Sequence, residues 1–367
     1  MVATLGKVAA VVLGLVICLG CVSVGGNTII SHLYYYYGPE DTLETLETSD
    51  INPENLALAD LEKAVVLLEL GRFEESLDAL KSAEFRLDAA RVTTTLGVAR
   101  SGYQPWRPEY HERVLASTLA MANSLALYDT VGAANAADRA LSRIAEFDCG
   151  ECVFDFTRLL AALAYGGAGR FEDGVAVLSG MDVEGPGLGL VNGIRRRLER
   201  GVAGFQTEGL APPPGESERF VVAVLLFGGG PYKVATKLDL NPTRTIKWYR
   251  YQPREEQTVG WASADVEEPV ISAELTDLNA LAATALDLRT RRVVAGEETP
   301  LNPDKHDLRH WTTLPASLQV LAIELEPATD IVDLVYHSPD GYEIDREPIE
   351  VPGAWLGGPI FVVRRVP

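Results

Sequence analysis

The chain has 367 residues, of which 47% are hydrophobic and 23% charged, enough length and apolar content for about two domains with buried cores, which excludes wholesale disorder. Its formal net charge of −20 repels phosphate backbones and anionic surfaces and argues against nucleic acid as a partner. Four cysteines fall in two separate pairs, Cys18 with Cys21 near the N-terminus and Cys149 with Cys152 far downstream, and each pair needs its own explanation.

From Val8 to Leu19 every residue is apolar or glycine, with Lys7 before the run and Gly20-Cys21 after it, the layout of a secretory signal. About a dozen apolar residues are too few to span a bilayer. An uncleaved anchor running on to Ile30 is the alternative, weakened by Ser23, Gly25, Gly26, Asn27 and Thr28. The ending Leu19-Gly20-Cys21 resembles the bacterial lipobox, which implies a leader over residues 1–20, cleavage before Cys21 and lipid attachment there. Cys18 departs from that pattern, which usually has a leucine-like residue at its place. Val22, where an aspartate would signal inner-membrane retention in enterobacterial lipoproteins, points by the same resemblance to the outer membrane, with inner-membrane anchoring as the alternative. The following HLYYYY, His32 to Tyr37, reads as a strand or loop packed on its own domain, or as a membrane-interface segment.

Residues 21–54 are expected to form a tether and polar connector, and residues 55–205 a helical domain. Residues 40 to 78 hold twelve acids against Lys63 and Arg72, a solvated face. Behind it Leu61, Ala64, Val65 and Leu68 make a helix stripe, and Gly71-Arg72-Phe73-Glu74-Glu75 turns the chain into a second helix with Leu77 and Leu80. A second hairpin follows Tyr103: Leu115, Leu119, Ala122 and Ala126 fall on one face, Tyr128-Asp129-Thr130 interrupts, and Ala134, Ala137, Leu141 and Ile144 form the next stripe. The turn recurs as Gly169-Arg170-Phe171-Glu172-Asp173 after a helix with Phe156, Leu159, Leu160 and Leu163. Three irregularly spaced helix pairs with small residues at their contacts predict a degenerate tetratricopeptide-like array. Such a stack either presents a concave surface to a protein partner or is only a support.

Between the first two pairs, Tyr103-Gln104-Pro105-Trp106-Arg107-Pro108 is forced out of helix by its prolines. Tyr103 and Trp106 are candidates for an exposed partner anchor, and Trp106 equally for a plug between hairpins. Cys149-Gly150-Glu151-Cys152 is expected to be a small structural disulfide in an exported protein. Thiol-disulfide exchange is the rival reading, opposed by the helical Ala140–Phe147 stretch before it. A zinc site would need two more ligands that the neighbouring sequence lacks. Gly185-Pro186-Gly187-Leu188-Gly189 reads as a loop, and Arg195, Arg196, Arg197 and Arg200 as a charged last helix.

Residues 206–218, with Pro212-Pro213-Pro214, read as a linker, after which residues 219–367 turn to strand formers. Phe220 to Phe227 fits a buried strand and Gly228-Gly229-Gly230-Pro231-Tyr232-Lys233 a hairpin turn. Strands at Thr243–Tyr251 and Thr258–Ala264, a helix at Thr276–Val294, and strands at Leu318–Leu325, Ile331–His337, Tyr342–Ile349 and Ile360–Val366 complete a β-rich, sandwich-like domain with one inserted helix. The predicted fold class is therefore α+β and multidomain.

Glu112-Arg113-Val114, Asn123, Asp129 and Ala137 with Arg139, then Gly230-Pro231 with Lys233, and finally Asp307-Leu308-Arg309-His310-Trp311-Thr312-Thr313-Leu314-Pro315 together resemble an uncharacterised family of bacterial envelope lipoproteins with a helical front half. The resemblance covers most of the chain and implies a membrane-anchored protein without naming its task. Asp307, Arg309 and Trp311 are candidate partner-binding residues, or a turn in which Arg309 pairs with Asp307 and Trp311 packs on the sheet. The leading expectation is a non-enzymatic scaffold with a lipid anchor and a protein partner in the envelope. The alternative is a binder of cell-wall polymer or exported polysaccharide using Trp248, Tyr249, Tyr251 and Trp261, and an enzyme built on the cysteine pair or on Asp307, Arg309 and His310 ranks third. No catalytic residue, metal ligand or cofactor is assigned.

Overall fold

The computed structural model describes residues 30, 33–34, 37–95, 105–206, 219–254, 260–266, 270–298, 309–325, 329–351 and 360–366. Cys21, Tyr103, Asp307 and the leader lie outside them. Among the described residues no helix is long and apolar enough to cross a membrane.

The N-terminal half is helical: α1 Pro39–Thr48, a 3-10 turn Pro53–Asn55, α2 Leu56–Glu69, α3 Phe73–Thr95, α4 Tyr110–Ala126, α5 Thr130–Phe147, α6 Asp155–Gly167, α7 Phe171–Ser179 and α8 Pro186–Gln206. The hairpins α2/α3, α4/α5 and α6/α7 fall where the apolar stripes put them. Two of their turns are copies of each other. Gly71 (φ 70°) and Gly169 (φ 75°) take the left-handed conformation that a side chain disfavours. The amides after them, Arg72 N and Arg170 N, close back on Leu67 O and Tyr165 O, both at 2.8 Å, as in a Schellman cap. In each, the arginine pairs with an acid three residues on, Arg72 with Glu75 and Arg170 with Asp173. The second hairpin is capped by Asp129, whose carboxylate accepts from Gly132 N (2.9 Å), and closed by Tyr110 stacked on Phe147 at 4.4 Å. Asn123 ties three helices together by donating to Ser76 Oγ (3.0 Å), which donates to Ala64 O (2.6 Å).

Three local expectations change. The polar connector contains α1, because Leu43 and Leu46 are one turn apart and buried and Pro39 suits a first helical turn. Gly185–Gly189 is not a loop throughout: α8 starts at Pro186, for the same reason. Of His32–Tyr37, the described Leu33, Tyr34 and Tyr37 are helical, not strand or loop, and the Tyr34 hydroxyl donates to Glu69.

The C-terminal half holds β1 Arg219–Phe227, β2 Tyr232–Asn241, β3 Arg244–Gln252, β4 Trp261–Asp265, β5 Val270–Asp277, α9 Leu278–Ala295, β6 Ser317–Leu325, β7 Ile331–His337, β8 Glu343–Glu350 and β9 Ile360–Val366. They form a four-stranded sheet ordered β5-β6-β1-β9, a ribbon β2-β3, and a three-stranded sheet β4-β7-β8. In the centre, β1 runs antiparallel to β6 and parallel to β9, with Val224 opposite Val320 and Val363. The glycine turn after β1 is therefore not a hairpin turn: β1 does not pair with β2, and the chain passes from sheet to ribbon there. Gly230 is needed at that point because its N–H reaches Leu314 O at 2.6 Å, and a Cβ would lie 2.8 Å from that oxygen and 2.9 Å from Pro315 O.

The apolar run of β1 is explained by what covers it. Val221, Ala223, Leu225 and Phe227 share a core with Val332, Leu334 and Tyr336 of the three-stranded sheet. Val222, Val224 and Leu226, on the other face, belong to the core that contains the helices. A strand buried on both faces reads as continuous hydrophobics instead of alternating, and each such side chain contributes roughly 1.5–3 kcal/mol of burial. The composition changes between residues 206 and 219, but the packing does not: one hydrophobic core runs from Leu61 and Leu119 through Phe156 to Val320 and Trp311.

Candidate functional site

The strongest concentration of buried charge lies where the two halves meet. Helix α4 begins directly after Pro108, and Glu109, at its N-cap, turns its side chain into the seam. Its carboxylate accepts from Lys233 Nζ (2.9 Å), Tyr249 Oη (2.5 Å) and Arg289 Nη1 (2.9 and 2.8 Å to the two oxygens). Arg289 in turn donates through Nε to Glu298 (2.9 Å). Glu109, Lys233 and Arg289 are 7%, 6% and 8% exposed, so this is a buried ion network joining α4 to the β2-β3 ribbon and α9.

Two further carboxylates of the helical half are filled by backbone donors of one short segment. Glu112 accepts from Trp311 N (2.9 Å) and from Glu109 N (2.6 Å), the second bond being half of a capping box. Glu62 accepts from Thr312 N (2.6 Å), Thr312 Oγ1 (2.7 Å) and Thr313 N (2.8 Å). Arg309, in the same segment, donates to Asn55 Oδ1 (3.1 Å), and its carbonyl accepts from Lys233 Nζ (3.0 Å) and Trp106 Nε1 (3.3 Å). The Arg309–Leu314 segment therefore clasps the C-terminal half onto α2 and α4.

Of the two readings open for each tryptophan, burial fits the plug for Trp106 and the packed turn for Trp311, and not the exposed partner anchor. Trp106 and Trp311 are each 1% exposed. Trp106 plugs the space beside Arg309, and Trp311 packs into the shared core with its Nε1 on Thr313 Oγ1 (3.1 Å). Arg309 points to Asn55 across the seam. Of the aromatics considered for a polymer site, Trp248 and Tyr249 are buried, and Tyr251 stands edge-on to His111 at 5.5 Å. Trp261 alone among the four is open, 40% exposed. Cys149 and Cys152 form a disulfide, with Cα atoms 5.3 Å apart. Among the described residues no group of three or more His, Cys, Asp or Glu side chains is placed to hold a metal ion.

Sequence reasoning passed over Glu62, Glu109 and Arg289, and took Tyr249 for a polymer-binding aromatic. A signal was present in two of them. Glu62 sits four residues after Leu58 and three before Val65, and Arg289 four after Ala285, so both are charges on an otherwise apolar stripe, positions where a charge stays buried only with a partner.

The carboxyls differ in protonation. Burial raises Glu109, but the positive charges of Lys233 and Arg289 and the Tyr249 hydrogen bond outweigh it and hold the group well below the usual range. Glu112 is pushed up to about 7 by burial, with Lys233 opposing and Glu109 adding to the rise. Burial also raises Glu62, against the hydrogen bonds from Thr313 and Thr312. His111 is lowered to about 4 by burial and is neutral at physiological pH. The signs fix the pH response. A carboxyl raised in the folded state contributes stability that is complete below its ordinary value of 4.5 and is lost as pH rises through about 7. Glu109 works oppositely, contributing above its ordinary value and losing that contribution only in strong acid. Between pH 4.5 and 7, unfolding free energy is expected to fall with rising pH, by at most about 1.4 kcal/mol per unit for Glu112 alone. Denaturant titrations across that window check it: Glu112→Gln should flatten the slope, and an unchanged slope would show that Glu112 is not the titrating group.

No family model matches the chain, and no curated protein matches it. A solved structure titled "MamA RS-1 ArsTM double mutant" is similar at 16% identity, covering 49% of this chain and 88% of its own, with a TM-score of 0.32. A score that low carries no argument about fold or function.

Proposed function

We propose that the chain is a lipid-anchored protein of the bacterial envelope that acts without catalysis, as a rigid scaffold for a protein partner. In this reading the helical half is a degenerate tetratricopeptide-like stack, and the C-terminal half is a small sandwich docked against it. The observation that most supports it is the use made of the charged residues. Glu62, Glu109, Glu112, Lys233 and Arg289 are buried and engaged in joining one half to the other. The surface left to a partner is that of the helices, including an open cleft of 580 Å³ bounded by Leu46, Glu47, Asp50, Ile51 and Asp60. The anchor rests on Gly20-Cys21, and the outer membrane, facing the periplasm, on Val22.

A second reading, binding of a cell-wall polymer or exported polysaccharide, is favoured by Trp261. It stacks on His337 at 3.9 Å and is 40% exposed. Two measurements on the membrane fraction test the proposal. Mass spectrometry should find a lipid-modified Cys21 at the N-terminus, and affinity purification should recover one stoichiometric protein. An intact Met1 would remove the anchor. Retention on a glycan column that Trp261→Ala abolishes, with no protein recovered, would replace the scaffold by the polymer binder.

A further inference from the structure

Residues 232–254 carry six cations, Lys233, Lys237, Arg244, Lys247, Arg250 and Arg254, against the single carboxylate of Asp239, a net charge of +5 in a chain whose total is −20. Lys233 belongs to the seam, and Arg254 donates to Gly230 O (3.2 Å). The other four are exposed on the β2-β3 ribbon. Lys237 and Lys247 stand directly opposite each other in the register, an arrangement that destabilises an isolated pair of strands. Trp248 and Ile246, from alternate positions of β3, are covered together with Leu286 and Val293 of α9. That leaves the Lys237/Lys247 face and the ribbon tip, residues 241–245, bare.

The opposite patch is at the start of the helical half. Glu40, Asp41, Glu44, Glu47 and Asp50 are exposed, and no lysine or arginine occurs between Pro39 and Asn52; Lys63 of α2 pairs with Glu47 (2.7 Å), which leaves the patch with a large acidic excess. Glu40 and Glu44 are one turn apart on α1, where like charges repel. Beside them opens the cleft of 580 Å³, with Leu46 and Ile51 on its wall. One chain thus carries two patches of opposite net charge, a basic ribbon tip and the acidic outer face of α1 beside the cleft, and the repulsion within each is relieved when the two meet.

We propose that the β2-β3 ribbon of one molecule docks on α1 and its adjoining cleft in a second copy of this chain. The contact joins two different patches, so it closes as a reciprocal pair where the geometry allows both ribbons to dock at once, and otherwise builds rings or chains. The overall negative charge does not prevent it. At physiological salt, charges are screened beyond about 8 Å, whereas pairs in contact keep most of their attraction. The inference goes beyond the scaffold reading and does not require the lipid anchor.

The full chain in mild detergent, examined by sedimentation over a range of concentrations at about 0.15 M salt, should associate. Lys237→Glu with Lys247→Glu should weaken association by about tenfold or more, and Glu40→Lys with Glu44→Lys should do the same. All four side chains are exposed, and unchanged thermal melting confirms that both variants fold. Mixed one to one, the two variants should associate again, because each ribbon then finds an α1 of opposite charge on the other variant. Three results would each overturn the proposal. These are a monomer at every concentration, variants that do not recover on mixing, and ribbon-dependent binding to phosphatidylglycerol vesicles without self-association.

Discussion

Replacing Glu109 by alanine is expected to destabilise the folded chain by about 3 to 5 kcal/mol, among the largest effects a single polar substitution produces. The cause is less the lost attraction than what remains. Lys233 and Arg289 stay buried, 6% and 8% exposed, with the carboxylate that neutralised both of them gone. Urea unfolding at neutral pH measures the loss. Replacing Glu109, Lys233 and Arg289 together by apolar residues of similar volume should recover most of it, since desolvating an ion network consumes about as much free energy as its pairing returns. A loss of less than about 1 kcal/mol for the alanine variant would mean that water reaches the network and that it behaves as a surface cluster.

Trp311→Ala is the second large effect, a loss of about 3 to 5 kcal/mol from removing a fully buried ring. Trp311 is 1% exposed in the core that contains Leu314 and Leu318 as well as the helices. Its backbone N–H also fills Glu112. The loss should therefore appear in the unfolding of the whole chain, as a lower denaturant midpoint by helical circular dichroism and by tryptophan fluorescence alike. If Trp311→Ala kept wild-type stability but lost a bound partner, the Arg309–Leu314 segment would be a recognition site and the clasp described here would be wrong.

Much of the fold was legible because it rests on local rules. The stripes of Leu61, Val65 and Leu68 and of Leu115 and Leu119 declare helices, the Gly71 and Gly169 turns end them, and the β-branched and aromatic content of Ile331–His337 declares a strand. Of the residues that carry the resemblance, Glu112, Lys233, Arg309 and Trp311 bond across the seam, whereas Asn123 joins helices within the helical half. Their partners were not legible. Glu62 meets Thr312 across 250 residues of chain, and no periodicity encodes such a pairing. For the same reason the strand order could not be read. The apolar run of β1 predicts burial on both faces, but not that one cover is a second sheet and the other a stack of helices. The β2 strand was legible but not read, since Tyr232, Val234, Leu238 and Leu240 alternate with Lys233, Lys237, Asp239 and Asn241; β5 was missed because its short run includes Ser272, Glu274 and Thr276 and passes directly into α9.

The central claim is that the seam carboxylates and the shared core make the two halves one cooperative body. Native-state hydrogen exchange at the amides of Trp311, Thr312 and Thr313 tests it most directly, since these donors are bonded to Glu112 and Glu62 of the other half. The expected result is exchange as slow as that of the core amides of α2 and α4, with protection lost together on global unfolding. Exchange of these three amides while α2 and α4 stay protected would show that the clasp opens on its own and that the halves are separate units.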